Sequence, residues 1–282
     1  MLTMFTNSAA MASTNSMNRA NSALSTAMER LGTGKRINSA ADDAAGLQIA
    51  TRLDGQARGM GVAQNNIAKA TAMMQTAEGA FDEVNNILFR MKDLATQAAD
   101  DTNNKDDRTA MQSEFDALNA ELGNIMKNTS YGTEKLLTGN ASNGKLTKEM
   151  QFQIGASKDE VLKVDLSTSL SGVSTKLTAL ATGGISGSAS GANAMLSKVT
   201  DALGSVGKIR SDLGANINRL GHTAANLANM KDNTELNLGT IRDADFAEEG
   251  SKMSRHQMLM QSSQMMLSQS KGMGQMVLGM LG

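Results

Sequence analysis

The chain has 282 residues, with 27 Lys and Arg against 28 Asp and Glu, so its formal net charge is -1. Near-neutrality removes the electrostatic case for nucleic acid or an acidic membrane as a partner and raises no charge barrier to self-association. Aromatics make up 2% and Trp, Pro and Cys are absent, which excludes disulfides and thiol chemistry and argues against the core of a large globular enzyme, sandwich or barrel.

The first 28 residues contain one charged group, Arg19. Met17, Ala20, Leu24, Ala27, Met28 and Leu31 form an apolar stripe at helical spacing. The opening Met1-Leu-Thr-Met-Phe-Thr-Asn-Ser8 lacks a basic region and a continuous apolar run, so no cleaved signal peptide is expected. No later run reaches the roughly 20 apolar residues of a membrane span. Gly32-Thr-Gly-Lys35 is not a phosphate loop, because Glu29 stands where the earlier glycine belongs and Arg36 where Ser or Thr belongs. Its glycines are expected to end the first helix and act as a flexible joint. Asp42 and Asp43 are expected in the first turn of the next helix, where acids are ordinary.

From Ala63 the positions Ile67, Ala70, Met74, Ala77, Phe81, Val84, Leu88, Met91, Ala95 and Ala98 continue three and four apart, the pattern of a coiled-coil seam. Such a helix runs roughly 58 Å at 1.5 Å per residue, so it needs partners of comparable length. Met111, Phe115, Leu118, Leu122 and Ile125 supply one partner seam. Met195, Val199, Ala202, Val206, Ile209, Leu213, Leu220, Leu227 and Met230 supply another, with polar lapses at Asn216 and Thr223. Asp100-Asp-Thr-Asn-Asn104, followed by Asp106 and Asp107, predicts a turn and a new helix amino end.

Between Tyr131 and Ala192 the period changes. Met150, Phe152 and Ile154 alternate with polar residues, as do Leu162, Val164 and Leu166 beyond Gly155-Ala-Ser-Lys-Asp-Glu160, which predicts a β-hairpin with one buried face. Residues 166–192 are rich in Ser, Thr and Gly and are expected to be an exposed connection. In the last segment, His256 to Gly282, the one fully charged side chain is Lys271. Leu259, Met266, Met273 and Met280 recur there every seven residues and predict the apolar side of a terminal helix. The 22 methionines are expected as adaptable core filler. Ordering two such polar helices costs about 1–2 kcal/mol per residue before packing returns anything. The ends are therefore expected to order on assembly.

Glu29-Arg-Leu-Gly-Thr-Gly-Lys-Arg-Ile-Asn-Ser-Ala-Ala-Asp-Asp-Ala-Ala-Gly-Leu-Gln-Ile-Ala-Thr-Arg-Leu53 resembles the signature near the amino end of bacterial flagellins. The resemblance extends to Glu78-Gly-Ala-Phe-Asp-Glu-Val-Asn-Asn86, Gln97-Ala98, Ile241-Arg-Asp-Ala-Asp-Phe-Ala-Glu-Glu249 and Met253-Ser-Arg255. Both ends match, whereas the middle is too short for a large outer domain. The resemblance implies a mainly α protein, an elongated rod of long antiparallel coiled-coil helices with a small β-hairpin and paired terminal helices. Four segments are expected: an inner-domain helix and joint at 1–42, the first part of the rod with hairpin and loop at 43–192, its carboxy-terminal helix at 193–241, and a second inner-domain helix at 242–282.

The implied function is a structural subunit that polymerises into the extracellular flagellar filament, exported through the flagellum's own channel. Implied partners are further copies of the chain, an export chaperone and the secretion apparatus, filament cap and junction proteins, and a host Toll-like receptor that senses flagellin. Arg90, Leu94, Gln97 and Glu114 match the receptor-bound motif of similar flagellins, and the first three are expected on one exposed helical face off the seam. The same face serves equally as a subunit contact, or as a solvated ion pair of small energy. Met17, Leu24, Met28, Leu31, Leu259, Met266, Met273 and Met280 are the expected polymerisation residues.

Two rival readings are a hook–filament junction protein and an enzyme or effector on a helical scaffold. The first carries Pro after the paired Asp where this chain has Ala44. The second lacks motif support: His222 and His256 are far apart and neither sits in a His-Glu-x-x-His frame. No catalytic residue, cofactor or metal is expected.

Overall fold

The computed structural model describes residues 7–137 and 144–281, with side chains described as far as 272. Six α-helices carry most of the described chain: α1 (Ser8–Thr33), α2 (Ala44–Ala98), α3 (Lys105–Asn128), α4 (Ser167–Ala181), α5 (Ala189–Arg242) and α6 (Phe246–Leu281). Between α3 and α4 lie two antiparallel hairpins, β1 (Ser130–Tyr131) with β2 (Glu134–Lys135), and β3 (Met150–Gln153) with β4 (Val161–Val164). The fold is mainly α. The chain divides into two compact units, one of residues 1–56 with 232–282, the other of residues 57–231, so the boundaries fall inside α2 and α5.

The 57–231 unit is built on the α2 seam. Every seam residue expected from Ala63 to Ala98 is buried, because side chains three and four apart share one side of a helix. Phe115 and Leu122 of α3 and Met195 through Leu227 of α5 join them in one apolar cluster. Arg210 of α5 reaches Glu78 and Asp82 of α2 at 2.9 and 3.0 Å. A Cβ at Gly61 would lie 3.9 Å from Lys231, so α2 and α5 run antiparallel. The polar lapses are satisfied within α5: the Asn216 amide donates to the Asp212 carbonyl and the Thr223 hydroxyl to that of Arg219. Met230, expected on this seam, is exposed. The repeat drifts off the buried side after Leu227.

At the turn after α2, Asn104 and Asp107 form a reciprocal capping box on α3. Arg108 donates to the Ala98 and Asp100 carbonyls, closing the end of α2. The expected hairpin forms with Met150 opposite Val164 and Phe152 opposite Leu162, which places its apolar pairs on one face. The β1–β2 hairpin was not legible, since its strands are two residues each and turn on Gly132 at φ 63°.

The exposed connection expected at 166–192 is instead mostly α4. Leu170, Val173 and Leu180 are buried and Leu177 partly so, while Ser169 and Lys176 reach Asp212 and Asp201 of α5 at 2.7 and 2.9 Å. A helical stripe hidden among Ser, Thr and Gly makes this segment part of the core.

In the other unit α1 and α6 pair antiparallel. Arg30 meets Glu249 at one end, and the Asn7 amide donates to the Ser270 carbonyl and hydroxyl oxygens at the other. The side chain of Asn7 also accepts from the Ala9 and Ala10 amides as the α1 cap. Gly34 ends α1 at φ 70°, where a side chain is disfavoured. The joint beyond it is fastened: Arg36 N–H donates to the Arg242 carbonyl, Ala244 N–H to the Gly34 carbonyl, and the Arg36 guanidinium to the Ile241 carbonyl. The expected flexible joint is thus a short two-stranded tie. Asp42 and Asp43 precede α2 rather than occupying its first turn. Asp42 accepts from the Asn38 and Ser39 amides, and Asp43 accepts from the Gly46 amide.

Candidate assembly and recognition faces

On α2 the Arg90 Nε and Nη2 donate to one Glu114 oxygen at 2.8 and 2.6 Å, joining α2 to α3 across an exposed surface. Both side chains are about half exposed, so this pair contributes little stability and leaves its groups open to a partner. Gln97 is exposed as well. Leu94 is not: at 2% exposure it belongs to the core cluster. It lies three positions after Met91, so it widens the seam, and the expected three-residue exposed face reduces to Arg90 and Gln97. Phe89 is exposed beside Arg90. It was legible as an aromatic one step beyond Leu88 and off the seam, yet sequence reasoning passed over it.

The α1–α6 seam is narrow and made largely of small and polar residues. Ser13, Ala20 and Ala27 are buried on α1, with Met17 and Leu24 partly buried between them and Leu31 partly buried beyond Ala27. On α6 the inward line runs Glu249, Met253, His256, Met260, Ser263, Leu267 and Ser270. Glu249 is 4% exposed, and its charge meets Arg30 Nη1 at 3.4 Å and Lys252 Nζ at 2.9 Å. Hydrogen bonds to Glu248 and then Glu249 hold the Lys252 pKa above its ordinary value.

Met28, Leu259 and Met266, expected among the apolar pairing residues, are exposed in this pair. On α6 the apolar residues fall on two lines, and the one that packs on α1 passes through Met253 and Leu267 rather than Leu259 and Met266. Leu259 and Met266 join Met258 and Met265 in a second stripe, roughly a third of a turn away. Met273 and Met280 lie outside the described side chains. Gly32-Thr-Gly-Lys35 closes α1, His222 is exposed, and His256 is partly buried with no hydrogen-bond partner on Nδ1.

Residues 4–142 match the family model for the bacterial flagellin N-terminal helical region, and residues 196–281 match that for the C-terminal helical region. The chain belongs to the bacterial flagellin family. Flagellin from Halalkalibacterium halodurans is 39% identical over 90% of each chain. Polar flagellin B/D of Vibrio parahaemolyticus is 34% identical over 98% of each. The latter alignment spans 372 positions against 282 residues here, so that flagellin carries additional residues within it. The crystal structure of Bacillus cereus flagellin superposes with a TM-score of 0.51 at 26% identity, covering 58% of this chain and 88% of that one. Membership makes the protein a structural subunit of the extracellular flagellar filament, as the flagellin-like ends implied. Among the described residues no helix is long and apolar enough to cross a membrane.

Proposed function

We propose that this subunit assembles through its terminal helices, with the second apolar stripe of α6 as the surface that meets a neighbouring copy. The observation that carries this reading is the exposure of Met258, Leu259, Met265 and Met266 along one side of a helix whose other side is already occupied by α1. A row of large apolar groups in water favours burial against another chain. A heterologous contact of this kind, repeated without closure, builds an open helical polymer. Met28 on α1 is a further contact residue, while Met17, Leu24 and Leu31 act by holding the two helices together.

In this reading residues 1–42 and 242–282 belong to the inner filament domain, and 43–192 with 193–241 belong to the rod domain. The terminal helices complete their order when copies meet, because their own seam buries so few large side chains. Export proceeds through the flagellar secretion apparatus with a chaperone, and cap and junction proteins contact the ends of the polymer. Negative-stain microscopy of seeded, purified chain tests the central claim. Wild type is expected to elongate seeds, whereas chains lacking 1–31 or 256–282 keep a folded 57–231 unit and do not elongate. Elongation by either truncated chain would overturn the assignment.

A second reading concerns the same subunit before assembly. The exposed Arg90–Glu114 pair, with Gln97 and Phe89 beside it, supports recognition by a flagellin-sensing Toll-like receptor, for which Arg and aromatic anchors are suited. The test is binding of the Arg90→Ala chain to the receptor ectodomain.

A further inference from the structure

The thioethers of this chain fall into sharply different environments. Met60, Met74 and Met91 are 2%, 0% and 0% exposed, whereas Met258, Met265 and Met266 are 64%, 68% and 63% exposed on one side of α6. The chain has no Cys and no Trp to take an oxidant first. Exposed methionine is then the most readily oxidised side chain available, and its sulfoxide is polar where the thioether is apolar. An oxygen on these three sulfurs therefore changes the surface most intended for burial, while the core methionines remain shielded.

We propose that Met258, Met265 and Met266 are sites of oxidation by hypochlorous acid in the unassembled chain, and that their conversion to sulfoxide blocks addition of the subunit to a filament. This rests on the reading of the α6 stripe as a contact between copies. In the reaction the sulfur lone pair displaces chloride from the oxidant, oxygen ends bonded to sulfur, and a proton is released. Formally an electron pair passes from sulfur to chlorine, so sulfur is oxidised and chlorine is reduced to chloride. Sulfoxide reductases reverse the change at the expense of thiol reductant. Leu259, within the same stripe, has no sulfur and is untouched.

The chemistry predicts both an order and a consequence. Full-length chain treated with limiting hypochlorite and digested for mass spectrometry is expected to gain the mass of one oxygen on Met258, Met265 and Met266 before Met60, Met74 or Met91. Seeded elongation of that sample is expected to fall by about tenfold or more, since polar sulfoxides replace apolar groups at the contact. Treatment with both methionine sulfoxide reductases is expected to restore it. A Met28→Leu, Met258→Leu, Met265→Leu, Met266→Leu chain, which also removes the exposed Met28 thioether of α1, keeps apolar contact surfaces and is expected to elongate equally before and after oxidant. Oxidation that spares these three sulfurs, or an oxidised chain that elongates at the untreated rate, overturns the proposal. A Met258→Gln, Met265→Gln, Met266→Gln chain distinguishes a failure of the subunit contact from a failure of the oxidation step. Normal elongation by the Gln chain means that the stripe is not a subunit contact. Loss in the Gln chain with normal elongation after oxidation means that only the oxidation step is wrong.

Discussion

Arg30 and Glu249 are 219 positions apart in sequence, yet the guanidinium Nη1 lies 3.4 Å from the carboxylate of Glu249, a side chain with almost no solvent contact. A carboxylate taken out of water must be compensated where it sits, and here Arg30 and Lys252 compensate it. Because one partner comes from α1 and the other from α6, the pair fixes which turn of one helix faces which turn of the other. At the far end of the seam the Asn7 amide, donating to the Ser270 carbonyl and hydroxyl oxygens, holds the same register.

Replacing Arg30 with Met leaves Glu249 with Lys252 only. The expected cost to the α1–α6 pair is about 1–3 kcal/mol, below that of a fully buried pair because Arg30 keeps some exposure. Hydrogen exchange of α1 and α6 amides should quicken while amides of α2 in the 57–98 stretch hold their rates. The double change Arg30→Met with Glu249→Leu should recover part of the loss, since no buried charge then remains.

Asp42 yields a pH-dependent expectation. Hydrogen bonds from the Ser39 amide and hydroxyl and from the Asn38 amide lower its pKa below the ordinary 3.8. A depressed carboxylate pKa means that the folded state binds protons less readily than the unfolded chain. The stabilisation is therefore present above 3.8 and is lost as pH falls through the lower folded value. Asp42→Ala should lower the melting temperature at neutral pH, and the gap to wild type should narrow as pH drops below that ordinary value. A gap that stays constant into strong acid would show that the carboxylate charge is not what holds the loop before α2.

Phe81 is fully buried in the α2 seam, among Ala77, Val84 and Leu88 of the same cluster. Phe81→Ala should cost about 3–5 kcal/mol through lost burial and the cavity left behind. Calorimetry of unassembled chain measures this directly, and an unchanged transition would mean that the seam is not packed before polymerisation.

Arg90 and Leu94, four residues apart, should behave oppositely. Arg90→Ala is expected to leave the melting curve in place and to weaken receptor ectodomain binding by more than about tenfold, as loss of an anchor residue does. Leu94→Ala is expected to destabilise the fold by about 2–5 kcal/mol, because the side chain is core. Wild-type receptor affinity in a well-folded Arg90→Ala chain would reduce the exposed ion pair to a subunit contact or a solvated pair.

Much of the architecture was legible because long helices repeat their signal. The α2 and α5 seams run through many turns with large apolar residues, and the β3–β4 hairpin alternates with a different period. Legibility failed where polar and small residues hid or interrupted the apolar pattern. Leu170, Val173, Leu177 and Leu180 define α4, but the Ser, Thr and Gly around them read as a loop. On α6 two apolar lines interleave, and the line that packs on α1 contains Ser263, His256 and a buried glutamate, so hydrophobicity alone selected the other one. Leu94 failed for a related reason: a seam filled on its neighbouring turns by alanines leaves room for a second residue per turn. The family assignment needed none of these details, since its motifs lie at both ends of the chain.

The tie between Gly34–Arg36 and Ile241–Ala244 couples two crossings that are remote in sequence. Gly34 alone would let α1 swivel freely, but its carbonyl is held by Ala244 and the next turn of chain by Arg242. A tilt of either terminal helix is therefore expected to strain hydrogen bonds to the segment that leads to the other. Like a strut with two legs on a common ankle, the pair is expected to pass a twist of one leg to the start of α2 and the end of α5 together.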